Sequence, residues 1–197
     1  SRFFDRLAQR GAWMINVVLV NPEIPNNTGN IVRTCAATGA VLHVIEPCGF
    51  SWEDKYLKRS GLDYWEISDV RRYPDMHAFL AANFGDKAAN TGDVPTDLKV
   101  TKTNTGTQFL YASTKSKHTH CEAVYNEDCY VFFGRETKGL PEDILHVNYD
   151  DCVRIPMRAN ARSLNLANSV AIIVYEYLRQ HDFAGLKEDG KLTQYED

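Results

Sequence analysis

Three arginines, two asparagines and a serine crowd the start of an apolar helix in the stretch Arg154-Ile155-Pro156-Met157-Arg158-Ala159-Asn160-Ala161-Arg162-Ser163-Leu164-Asn165. The turn Ser163-Leu164-Asn165 offers a hydroxyl, an amide and backbone N–H groups at a helix N-terminus, where four N–H groups lack internal partners. A helix cap needs one of these groups, and the surplus points to a binding site. Asn30 and Arg33 are spaced to share one helix face, where a planar guanidinium fork can hold an anionic group such as a phosphate. Glu136 follows Gly134-Arg135 in a tight, polar turn. It can orient a ligand or a neighbouring arginine, or serve only as a surface carboxylate. Asn165 can reach Glu136 or a bound ligand, and Ser163 can cap the helix, touch a ligand, or both.

These groups need a scaffold. Ile15 to Val20 is a short apolar run rich in β-branched residues, which predicts a buried strand. Asn26 to Gly39 has apolar residues at helical spacing and a terminal glycine. Val41 to Ile45 is a second strand, ended by Pro47. The resulting βαβ unit predicts a parallel sheet. Short helices are expected over Glu53–Ser60 and Tyr73–Phe84. Further strands are expected at Phe109–Ala112, Tyr130–Phe133 and Val153–Ile155, and a closing helix over Leu164–Gln180. The stretch Gly85–Gly106 is polar and reads as an exposed loop or insertion. The class is therefore α/β, a mostly parallel sheet flanked by helices. Three polar clusters, Asn21–Arg33, Gly134–Pro141 and Arg154–Ser169, each follow a strand and lead into a helix. Ligands bind at such carboxyl ends of parallel strands.

Composition sets the boundaries. The 197 residues suffice for one domain with a substantial core, and 44% hydrophobic with 24% charged residues is ordinary for a globular chain. No apolar run approaches the ~20 residues that span a bilayer, so no membrane partner is expected. Five cysteines without a C-x-x-C pair suit reduced thiols in a cytoplasm. His118-Thr119-His120-Cys121 has no second ligand pair at zinc spacing, so no metal is expected there. The net charge of −4 argues against a uniformly basic surface, although Lys55, Lys58 and Arg59 cluster, as do Arg154, Arg158 and Arg162. Neither the G-x-G-x-x-G dinucleotide fingerprint, the G-x-x-x-x-G-K-[ST] loop nor a G-x-S-x-G elbow is present.

The three clusters resemble those of the SPOUT superfamily of trefoil-knotted methyltransferases. The match is nearest to the TrmL-type tRNA (cytidine/uridine-2′-O)-methyltransferases of the wobble nucleotide. It is carried by N-P-E-I-P-N-N-T-G-N-I-V-R-T-C (Asn21 to Cys35), I-E-P-C-G-F (Ile45 to Phe50), G-L-D-Y (Gly61 to Tyr64), F-G-R-E-T-K-G-L-P (Phe133 to Pro141), and R-I-P-M with R-S-L-N-L-A-N-S-V (between Arg154 and Val170). The resemblance implies one methyltransferase domain over residues 15–181, with an N-terminal arm or cloning remnant at 1–14 and an acidic tail at 182–197. It also implies a deep trefoil knot near the C-terminus, against the usual un-knotted rule.

By the same resemblance, S-adenosylmethionine binds around Ala112, Gly134, Gly139, Ile155, Met157, Ser163 and Leu164, without a metal. Arg33 is the implied catalytic arginine, with Asn30, Glu136 and Asn165 beside it. The implied partners are tRNA and a second copy of the chain that completes each active site. Lys55, Arg59, Lys138, Arg154, Arg158 and Arg162 are the RNA-facing candidates. Ribosomal RNA as substrate, or a non-catalytic dimer that binds RNA or cofactor, are the alternative expectations.

Overall fold

The computed structural model describes residues 14–85 and 107–194. Residues 1–13, 86–106 and 195–197 lie outside the described residues, and with them most of the expected N-terminal arm at 1–14, nearly all of the expected loop or insertion at Gly85–Gly106 and the end of the expected acidic tail.

Six parallel strands form one sheet: β1 (Met14–Val20), β2 (Val41–Ile45), β3 (Val70–Tyr73), β4 (Gln108–Ala112), β5 (Asp128–Phe133) and β6 (Cys152–Val153). Their spatial order is β3-β2-β1-β5-β4-β6. The chain builds outward from β1 to β3, then crosses to build the other half. The boundary between β1 and β5 is therefore the point where strand order switches, the usual place for a ligand crevice in such sheets. Among the described residues, five helices flank the sheet: α1 (Pro25–Thr38), α2 (Lys55–Gly61), α3 (Met76–Phe84), α4 (Glu142–Val147) and α5 (Leu166–Gln180).

Strand periodicity divides the core between the two faces. Ile15, Val17 and Leu19 of β1 pack with Ile31, Val32 and Cys35 of α1 and with Val170, Ile173, Val174 and Tyr177 of α5. Val18 and Val20 join the opposite cluster, with Phe79 and Leu80 of α3 and Ile144 and Leu145 of α4. Burying each such side chain contributes roughly 1.5–3 kcal/mol, so the central strands and the two long helices hold the loops at their carboxyl ends in fixed places. Gly39 ends α1 in the left-handed region at φ 77°, its N–H donating to the Cys35 carbonyl at 2.9 Å.

Several boundaries differ from the sequence reading. β3 was not expected: only Val70 and Tyr73 of its four residues are apolar, and Arg71 and Arg72 are exposed on an edge strand. Helix α3 begins at Met76, capped by Asp75, whose carboxylate accepts from Ala78 N at 2.8 Å. The strand expected at Val153–Ile155 is Cys152–Val153. The closing helix begins at Leu166 rather than Leu164, because Asn165 is its cap. No described helix is long and apolar enough to cross a membrane.

Candidate functional site

The three polar clusters converge above β1, β5 and β6, and one carboxylate joins two of them. Helix α1 starts after Ile24, which has no side chain able to cap it. Glu136, from the loop after β5, instead anchors the two residues that lead into the helix and the Asn27 side chain. Its Oε2 accepts from Glu23 N at 2.8 Å, and its Oε1 accepts from Ile24 N at 3.1 Å and from Asn27 Nδ2 at 3.2 Å. A carboxylate at a helix N-terminus is stabilised by the unsatisfied N–H groups and the helix dipole. Glu23 reciprocates, accepting from Thr137 N at 3.1 Å and Thr137 Oγ1 at 2.7 Å. The Thr137 hydroxyl bond holds the Glu23 carboxyl below the usual carboxylate range.

Asn27 extends the link to the third cluster. Its Oδ1 accepts from Asn165 Nδ2 at 2.9 Å, while Asn165 Oδ1 caps α5 by accepting from Ala167 N at 2.9 Å and Asn168 N at 3.3 Å. Glu136 and Asn165 are thus joined through Asn27 and not to each other. Ser163 makes no cap bond; Asn165 takes that part.

Over this relay opens a cavity of about 530 Å³, within the ~300–1,000 Å³ of small-molecule sites. Ala112, Gly134, Gly139, Ile155, Met157, Ser163 and Leu164 all line it, with Glu136, Asn165, Lys138, Arg154 and Arg162. Gly134 marks the tightest approach: a Cβ there would lie 2.0 Å from Gly139 C and Leu140 N. The loop folds back on itself through paired bonds between Arg135 and Gly139, 2.8 Å and 3.2 Å long. Gly139, at φ 71°, makes the turn. Ile155, Met157 and Leu164 offer apolar walls, and Ser113, Thr114 and Ser163 add hydroxyls.

Asn30 and Arg33 stand elsewhere. Both are exposed on α1 and line a separate groove of about 480 Å³ with Asn26, Tyr56, Arg59 and Ser60. The Arg33 guanidinium carbon sits 5.1 Å from the Tyr64 ring centroid. One chain therefore splits the expected catalytic set, with Glu136 and Asn165 at the cavity and Asn30 and Arg33 in the groove. Lys55 flanks the groove, its Nζ 5.0 Å from the Tyr56 ring centroid. Arg158 is exposed and lines neither cavity.

The sequence reading left Asn27, Glu23 and Tyr56 without roles. Asn27 and Glu23 lie within the first cluster, but their partners are more than 100 residues away, so no local pattern marks them. Among the described residues, no group of three His, Cys, Asp or Glu side chains is arranged to hold a metal ion.

A parallel α/β sheet with a cavity beyond the carboxyl ends of β4, β5 and β6 has the layout in which open α/β sheets hold ligands, and its relatives make the class specific. The sequence profile of the SpoU rRNA methylase family matches residues 14–175, and the chain belongs to that family. Its relatives include the tRNA (cytidine(34)-2′-O)-methyltransferase of Yersinia pestis, 43% identical over 178 residues, covering 89% of this chain and 100% of the relative. The enzyme of the same name from Escherichia coli K12 is 43% identical over 174 residues, covering 87% and 97%. A solved structure concerned with 2-OH methylation of C/U34 on tRNA superposes with a TM-score of 0.71 at 38% identity, covering 86% of this chain and 97% of that one. The SpoU methyltransferase AviRb from Streptomyces viridochromogenes, in complex with AdoMet, shares the fold with a TM-score of 0.70 at 24% identity, covering 90% and 64%.

Proposed function

We propose that this chain is an S-adenosylmethionine-dependent methyltransferase acting on the ribose 2′-hydroxyl of the tRNA wobble nucleotide, cytidine or uridine at position 34. The observation that carries the reading is the 43% identity to enzymes of that activity across their nearly complete length. The cavity geometry agrees with it. The residues expected to surround the cofactor line one cavity of suitable size, with aliphatic walls for an adenine and hydroxyls at its edge.

When bound, the cofactor supplies an electrophilic methyl group on a sulfonium. The protein must place the ribose oxygen against it and assist loss of the hydroxyl proton. A guanidinium keeps its protons in proteins, so Arg33 serves as a clamp on phosphate and developing alkoxide. A phosphate oxygen of the RNA held there takes the proton. Asn30, one turn away on the same groove, orients the ribose.

The separation of the Arg33 groove from the cofactor cavity supports a homodimer in which each copy brings its groove to the other's cavity. Ile172 and Tyr175, 37% and 49% exposed on α5, supply apolar surface for such an interface. The chain's return from edge strand β6 to pack α5 beside β1 and α1 accords with a C-terminal knot. Five cysteines without a C-x-x-C pair accord with a reducing cytoplasm.

The rRNA designation of the family gives ribosomal RNA as the second candidate substrate. Methyl transfer from labelled S-adenosylmethionine to total tRNA and to ribosomal RNA, with nuclease mapping, tests both. Label on the ribose of nucleotide 34, lost in Arg33→Ala, is the expected result. Label on ribosomal RNA alone replaces the substrate, and no label on either RNA overturns the reading.

A further inference from the structure

The groove beside Arg33 contains more than the expected catalytic pair requires. Its six lining residues are Asn26, Asn30, Arg33, Tyr56, Arg59 and Ser60, with two arginines and no carboxylate. Tyr56 is 49% exposed at the groove's edge, and the adjacent Lys55 ammonium approaches its ring. A half-exposed aromatic ring among cations is the combination that holds single-stranded nucleic acid: the ring stacks a base while the cations track phosphates. Lys58 is engaged by Glu53 and so adds less to this field.

The groove is also preformed. Helices α1 and α2 meet so closely at Gly29 that a Cβ there would lie 2.4 Å from the Ser60 Cβ. The Ser60 hydroxyl lies 2.9 Å from Asn26 Oδ1 and 2.6 Å from the Tyr56 carbonyl, tying the two helices at that point. Asp54 Oδ1 accepts from Tyr56 N at 2.7 Å, fixing the start of α2. The ring is therefore presented from a braced turn, which lowers the ordering cost of stacking.

We propose that Tyr56 is the stacking platform for the base next to the target nucleotide, with Arg59 holding the adjoining phosphate. The inference rests on the RNA-methyltransferase reading and adds to it a subsite for the flanking nucleotide. The base is read by its π face, so the platform secures the anticodon loop without demanding one sequence there.

The test compares wild type, Tyr56→Phe and Tyr56→Ala on an anticodon stem-loop, measuring methyl transfer and, by calorimetry, cofactor binding. Loss of one stacked base weakens binding roughly 5- to 150-fold. Tyr56→Ala is expected to raise KM for the stem-loop by about tenfold, with kcat and cofactor affinity unchanged, while Tyr56→Phe behaves as wild type. Stem-loops lacking the base on the 5′ or the 3′ side of the target add a second readout. One of them is expected to show the same loss with wild type and no additional loss with Tyr56→Ala. The salt dependence separates stacking from charge: Tyr56→Ala keeps the wild-type slope, whereas Arg59→Ala lowers it by about one phosphate contact. An unchanged KM in Tyr56→Ala overturns the proposal, as does a changed oligomeric state by light scattering, which would assign Tyr56 to a protein interface. A wild-type protein that methylates no RNA overturns the functional reading and this subsite together; an active wild type with an indifferent Tyr56→Ala overturns the subsite alone.

Discussion

Asn165 Nδ2 stands 2.9 Å from Asn27 Oδ1, and through Asn27 the cap of the last helix is bonded to the carboxylate that anchors the entry to the first. Asn27 is only 5% exposed. Its loss would remove one partner from Glu136 and one from Asn165. A broken buried hydrogen bond costs about 1–3 kcal/mol, and loss of the Asn165 cap costs about 1 kcal/mol. Asn27→Ala and Asn165→Ala are each expected to lower the denaturation midpoint. The double variant should fall short of the sum by about 0.5 kcal/mol or more, the sign of groups acting as one unit. Additive losses in chemical denaturation would show that the two amides act separately. Cofactor affinity should drop in both single variants, since the relay forms the cavity's floor.

Arg33→Lys keeps the charge and loses the planar fork. If Arg33 holds a phosphate and the developing alkoxide in two directions, a single ammonium cannot replace it. The expected outcome is a fall in kcat of about 100-fold or more, the usual scale for loss of an oxyanion-stabilising donor. Calorimetric cofactor affinity should stay near the wild-type value, because Arg33 lines no part of its own chain's cavity and its proposed contacts are to the RNA phosphate and ribose oxygen. Near-normal turnover in this variant would rule out the clamp.

Much of this architecture was readable from local pattern. β1, α1 and β2 follow from apolar periodicity and the Gly39 stop, because each is stabilised by its own buried residues. β3 escaped because an edge strand needs few apolar residues, and Arg71 and Arg72 conceal it. The start of α5 shifted by two residues because Ser163 and Asn165 are both good caps by type, and only the position of Asn27 decides between them. The division of Asn30 and Arg33 from Glu136 and Asn165 was not readable. Sequence motifs state which residues belong to a site, whereas which chain carries them to a given cavity is settled only in three dimensions.

Stability should depend on His43 at mildly acidic pH. The ring is fully buried, its Nδ1 2.9 Å from the Tyr73 hydroxyl and its Nε2 2.9 Å from Asn16 Oδ1. Burial, with the nearby Arg71 charge, pulls its pKa down to about 3. The folded protein keeps His43 neutral while the unfolded chain takes up a proton below about pH 6.5. Where the unfolded state binds more protons, stability rises with pH. The contribution is therefore complete above about pH 6.5 and declines as the pH falls towards 3, by up to about 1.4 kcal/mol per unit. Glu23 and Glu46, held below the usual carboxylate range by Thr137 and Arg72 respectively, act only at more acidic pH. Denaturant melts between pH 7.5 and 5 should show the decline in wild type and a flatter profile in His43→Phe. Equal slopes in the two proteins would remove His43 as the cause.

Gly134→Ala probes the cavity most sharply. The added methyl would enter the backbone of Gly139 and Leu140 at 2.0 Å, where no flexible side-chain end can move aside. The loop after β5 must then open, breaking the Arg135–Gly139 pairing and displacing Glu136 from the start of α1. Overpacking of this kind costs about 1–3 kcal/mol. The fold itself should survive, because Phe132, Phe133 and the rest of β5 keep their places in the sheet. Calorimetry is expected to show cofactor binding lost or weakened at least tenfold while circular dichroism retains its native form. A variant that binds cofactor as tightly as wild type would show that the loop can relax without cost, and that the contact at Gly134 does not set the shape of the cavity.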